Sequence, residues 1–86
     1  MSETEIGKVT DFFAKPVVAG MQLTGPLRIG DKIHIKDSST DMELAVRSMQ
    51  LDRVSVTEAR AGDLVGIEVP DRVRRGDKVY KITEGP

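Results

Sequence analysis

Along residues 17–24 the side chains alternate: Val17, Ala19, Met21 and Leu23 share one parity, while Val18, Gly20, Gln22 and Thr24 take the other. A period of two puts one set on each face of a strand, so the spacing predicts a half-buried β-strand and not a helical stripe. Ile33 and Ile35 face one way in the same manner, with Lys32, His34 and Lys36 opposite. From Met42 the apolar parity holds through Leu44 and Val46, then flips to Met49 and Leu51. A phase change near Arg47 and Ser48 predicts a bulge or a strand that bends between sheet halves. The stretch TEARAG is expected to form a short helical turn, with Thr57 as cap and Gly62 as stop.

Turn signals punctuate the strands at Lys15-Pro16, Gly25-Pro26, Asp37 to Asp41 and Pro70-Asp71, and in three near-identical strings, RIGDKIHI, RAGDLVGIEV and RRGDKVYKI. In each string a Gly-Asp pair precedes alternating aliphatics: Gly30-Asp31, Gly62-Asp63 and Gly76-Asp77. The glycine can adopt a positive φ, the aspartate can hydrogen-bond nearby backbone amides, and the next strand enters the sheet with its register set. Short strands with regular punctuation predict an all-β domain, a small closed barrel of six or seven strands. Residues 5–82 are expected to form it, with residues 1–4 as a disordered N-terminal tail and 83–86 as a C-terminal tail. The uneven spacing of the three corners argues against a tandem repeat.

A chain of 86 residues buries roughly 60–65 % of its unfolded surface, so its core is small. The absence of cysteine rules out disulfide staples and thiolate zinc sites and points to a reducing, cytoplasmic setting. No cationic start leads into an apolar run, and no uncharged stretch approaches the ~18 residues of a membrane helix, so neither export nor membrane association is expected. Thirteen basic against fourteen acidic residues leave no long-range field for a polyanion, and any nucleic-acid contact needs a local patch.

The ordered strings IGKVTDFF, KPVVAGMQLTGPLRIGDKIHI, SMQLDR, RAGDLVGIEV and VRRGDKVYKI resemble the second domain of translational GTPases such as elongation factor Tu, a closed β-barrel. Two narrower groups are more similar still: free-standing translation-elongation-factor-like proteins, and the C-terminal barrel of collagenase-like peptidases linked to tRNA hydroxylation. The resemblance covers roughly residues 5–82 and implies a noncatalytic binding module near translation or tRNA modification. It implies tRNA, ribosomal RNA or a protein of those processes as partner. The sequence also departs from those families. The nearest string to a phosphate loop, GPLRIGD, lacks the Lys and Ser/Thr that reach phosphate and magnesium, so GTP is not expected to bind. The charges with which elongation factor Tu holds an aminoacylated 3′ end, a Glu near Gln50 and an Arg in the strand reading MQLTG, are absent.

Among candidate residues, the string DRVRRGDKVYK offers Arg72, Arg74, Arg75, Lys78 and Lys81, joined by Lys32 and Lys36, as an edge able to neutralise RNA phosphates. The rival expectation is a protein-interaction barrel serving a collagenase-like peptidase or RNA-modifying enzyme through an apolar patch at Phe12, Phe13 and Val17. With Tyr80, the two Phe are the only aromatics, too few for base stacking on exposed rings. His34 reads as a plain surface histidine, and Ser38, Ser39, Ser48 and Ser55 have no visible base, so no catalytic set is expected. No metal site or cofactor is expected either. With one His and no Cys, only carboxylates could complete a ligand set, and Asp37 and Asp41 lack the calcium-loop pattern.

Overall fold

The computed structural model describes residues 2–14, 17–38 and 40–83. The Lys15-Pro16 turn, Ser39, Met1 and residues 84–86 of the expected tails lie outside the described residues. Among the described residues ten strands form, in the order β1 (Ser2–Ala14), β2 (Val17–Leu23), β3 (Leu27–Arg28), β4 (Lys32–Asp37), β5 (Thr40–Ala45), β6 (Met49–Leu51), β7 (Val54–Ser55), β8 (Glu58–Ala59), β9 (Leu64–Glu68) and β10 (Lys78–Thr83). The fold is all-β. Eight strands make one antiparallel sheet in the order β5-β4-β10-β1-β2-β9-β6-β7, and β3 pairs with β8 separately.

The predicted parities hold where a core face exists. Ala19, Met21 and Leu23 are buried while Gln22 is exposed, and Ile33 and Ile35 are fully enclosed. With Val9, Met49, Ile67 and Val79 they fill the inside of the curled sheet. Phe12, Val17, Met42 and Leu44 pack against this core from the side. The phase flip falls where expected: Val46 is buried in the link between β5 and β6, which carries the chain from one side of the sheet to the other.

Three expectations differ. The stretch around TEARAG is β8, hydrogen-bonded as Leu27↔Ala59 and Arg28↔Glu58, because pairing with β3 and burial of Ala59 outweigh a weak local helix preference. The sheet starts earlier than expected, since Ser2, Glu3 and Thr4 pair with Thr83, Ile82 and Lys81. Closure also takes another form, because among the described residues no ladder joins the edge strands β5 and β7.

What curls the sheet are the three Arg-x-Gly-Asp corners, which repeat one hydrogen-bond scheme. In the first, Asp31 N–H donates to Arg28 O at 3.1 Å and the Asp31 carboxylate accepts from Arg28 N–H at 2.9 Å. The pairs Asp63–Arg60 and Asp77–Arg74 repeat both bonds at the same lengths. Gly30, Gly62 and Gly76 occupy the third position with φ of 97°, 95° and 91°, the geometry that a type II turn reserves for glycine. Each corner then grips a buried residue of another strand segment. Gly30 N–H donates to Val46 O and Val46 N–H to Asp31 O, both at 2.8 Å. Gly62 and Asp63 hold Leu23 in the same way, and Gly76 and Asp77 hold Val9. Paired backbone bonds from turns thus do at three places what a continuous ladder does in a closed barrel.

Candidate functional site

Two outward faces carry the chemistry. On the first, β1, β2 and β9 lie side by side with Asp11, Gly20 and Gly66 in one cross-strand row. Two adjacent glycines leave the backbone bare there. Phe13 on one flank is 56 % exposed and Leu64 on the other 60 % exposed. They border an open groove of about 460 Å³ that includes Gln22 and Met21. Of the three residues expected to form an apolar patch, Phe12 and Val17 pack inward and only Phe13 faces out. Its apolar companion is Leu64, which sequence reasoning missed because the β2–β9 register is non-local.

The second face lies across β1, β10, β4 and β5. Its rows read Lys8–Lys78–Lys36–Asp41 and Glu5–Tyr80–His34–Glu43. His34 is not a plain surface residue, as its side chain is only 13 % exposed. Nδ1 lies 2.6 Å from Glu3 Oε2 and 4.0 Å from Glu43 Oε1, and Nε2 contacts Asp41. Hydrogen bonds first from Glu3 and then from Asp41 hold the imidazole's pKa above its ordinary value, against a smaller opposing effect of burial. Lys36 Nζ donates to Glu3 Oε1 at 2.9 Å and sits 4.7 Å from the Tyr80 ring centre. Bonds from Lys36 and His34 lower the Glu3 pKa, and the bond to Glu3 raises that of Lys36. Carboxylates, the one ligand type the sequence left open, converge here: Glu3, Asp41 and Glu43 all reach His34. They do so from β1 and β5, and strand order across β10 was not legible in the sequence.

The expected basic edge does not form a single patch. Arg72 lies over the Phe12 ring at 5.8 Å, Arg75 Nη2 pairs with Asp11 at 3.2 Å, and Lys81 pairs with Asp31 at 3.3 Å. Arg74 contributes its backbone N–H to the third corner, and Lys32 sits beside Ile82 and Ala45 at the far end of β4. Only Lys36 and Lys78 of that set are cross-strand neighbours, and they are joined by Lys8, which was not singled out. Both ring nitrogens of His34 are occupied by carboxylates, so it offers no base to a hydroxyl nucleophile. Among the described residues no helix is long and apolar enough to cross a membrane.

No protein-family model matches the chain. It is 41 % identical over 81 residues to an uncharacterised protease of Methanocaldococcus jannaschii, covering 93 % of this chain and 20 % of that protein. It is 31 % identical over 81 residues to a collagenase of Porphyromonas gingivalis, covering 92 % and 22 %. The chain therefore spans about a fifth of the length of the curated relatives it matches. Among solved structures it is similar to the C-terminal domain of a protein assigned as a U32 peptidase from Geobacillus thermoleovorans. There the TM-score is 0.86 at 15 % identity, with 92 % of each chain covered. GDP-bound aIF5B of Aeropyrum pernix shares the fold at TM-score 0.59 and 21 % identity, over 92 % of this chain and 14 % of that one. The fold is thus that of the peptidase C-terminal domain, with a more distant likeness to the translation factor.

Proposed function

We propose that this domain is a noncatalytic docking module for a peptidase body of the U32 type, and that it binds through the groove between Phe13 and Leu64. The observation that carries the proposal is the pair of exposed apolar side chains flanking a bare glycine floor. Large apolar groups left outward on a small domain mark interaction surfaces when they rim one concavity. The relatives support this choice of partner, since about four-fifths of each lies outside the matching segment. An aromatic ring seated in a pocket on the partner is the usual energetic centre of such a contact.

The test is titration calorimetry of this chain against a U32-type peptidase body encoded in the same genome, with and without ribonuclease. Saturable binding that ignores ribonuclease and weakens at least about tenfold in Phe13→Asp supports the reading. Unchanged affinity in that variant, or no binding, contradicts it.

The row Lys8–Lys78–Lys36 favours a second reading, docking on an RNA backbone. Like charges directly opposite across strands repel, and among the described residues Lys8 and Lys78 have no ion pair. Three phosphates held by this row give a logarithmic salt slope of about −2 to −3 for binding to tRNA or ribosomal RNA. Salt-insensitive binding, or none, rejects that reading.

A further inference from the structure

The cluster around His34 is left unused by both readings. A carboxylate oxygen only accepts, so the charged ring donates from Nδ1 to Glu3 and from Nε2 to Asp41; a neutral ring that keeps its hydrogen on Nε2 toward Asp41 presents a lone pair on Nδ1. That lone pair faces two further electron-pair donors, Glu3 Oε2 at 2.6 Å and Glu43 Oε1 at 4.0 Å. Either a proton or a metal ion can lie among these donors. A proton fills the short gap between Nδ1 and Glu3 and does nothing for Glu43. A divalent metal serves all three.

We propose that His34 Nδ1, Glu3 and Glu43 form a site for one divalent transition-metal ion of the zinc class, which ties the start of β1 to the β4–β5 hairpin. The three ligand atoms lie within 4.8 Å of one another. Bonds of about 2.0–2.1 Å in a tetrahedral set place ligand atoms roughly 3.3 Å apart. The shift needed falls mainly on Glu43, whose side chain is 66 % exposed and free to swing inward. The groups behind the ligands are already arranged. Asp41 holds the far nitrogen of the imidazole and Lys36 the far oxygen of Glu3, as outer partners do in metal centres where they fix ring orientation and ligand basicity. An imidazole among carboxylates selects zinc, cobalt or nickel over magnesium and calcium, which prefer oxygen donors throughout. Three protein ligands leave a position for water or a partner's side chain.

The experiment strips the full chain with a chelator and titrates it with zinc chloride by calorimetry at neutral pH, with cobalt chloride as the optical probe. One zinc per chain is expected, and the melting temperature rises by roughly 5–10 °C at tenfold excess over the dissociation constant. Glu43→Gln, on an exposed side chain, leaves the circular dichroism spectrum unchanged and weakens zinc at least about tenfold, as does His34→Gln. Asp41→Asn, which removes an outer partner and no ligand, weakens it about 10–100-fold. Absence of saturable one-to-one binding overturns the proposal, as does affinity unchanged in Glu43→Gln or equal affinity for calcium chloride.

Discussion

Replacing Gly62 with alanine isolates the energetic content of a corner. A Cβ built on Gly30, Gly62 or Gly76 meets nothing within 4 Å, so no clash contributes and the whole cost is the backbone conformation. At φ of 91–97° an L-residue is strained by roughly 1–2 kcal/mol. The gain from a stiffer unfolded chain, about 0.4–1 kcal/mol, offsets only part of this, so each variant loses about 1 kcal/mol net. At ~0.05–0.15 kcal/mol per residue the whole domain is stable by about 4–13 kcal/mol. The triple variant therefore loses about 3 kcal/mol, a large share of that margin. Urea denaturation followed by far-UV circular dichroism reads these losses as shifts in midpoint at constant slope. The three single losses should agree with one another, because the three corners have the same bond scheme and the same open surroundings. D-alanine introduced by chemical synthesis favours positive φ, and at these positions it should match or exceed the native stability. Losses below about 0.3 kcal/mol for L-alanine, or a loss for D-alanine equal to that for L-alanine, would refute the strain argument.

Gly7→Ala should cost more than any corner variant, about 2 kcal/mol or above, because its Cβ would lie 2.6 Å from the backbone oxygen of Gln22; equal midpoints for Gly7→Ala and Gly62→Ala would count against it. The β6–β7 hairpin holds Asp52 and Arg53 at φ of 53° and 67°, so Arg53→Gly should stabilise the domain by roughly 1 kcal/mol, read as a higher urea midpoint, through relief of the second left-handed residue. In metal-free buffer, the raised pKa of His34 means that its contribution is complete below the unfolded value of 6.5 and fades as pH rises through the folded value. Glu3, with a lowered pKa, contributes above 4.5 and loses its contribution as pH falls through its folded value. The stability difference between wild type and His34→Gln should therefore shrink from mildly acidic to alkaline pH, and a difference that stays constant contradicts the network.

The elements with one clear core face were legible in the sequence, because parity alone places Met21 and Leu23, or Ile33 and Ile35, inside. The three corners were legible too, since positive φ and an amide-capping carboxylate impose residue types that stand out in a short chain. Strand order was not. β10, from the C-terminal end, inserts between β1 and β4, and β9 lies against β2. These placements bring Leu64 to Phe13's face, Lys8 beside Lys78, and Glu3 to His34 across β10. The candidate sites are therefore products of topology. Of the seven cations that look like one edge in the sequence, four divide among Phe12, Asp11, Asp31 and Glu3 once the sheet is folded. The expected helix at Thr57 to Gly62 failed for a related reason, because its local preference is weak and β3 offered a pairing partner.

Hydrogen-exchange mass spectrometry of this chain, alone and saturated with the U32-type peptidase body, tests the docking claim most directly. Protection should appear at residues 10, 11, 13, 20–22 and 64–66, which line the Phe13–Leu64 groove, and residues 34–43 should exchange as they do in the free chain. Protection confined to 34–43, or no change on mixing the two proteins, would contradict it.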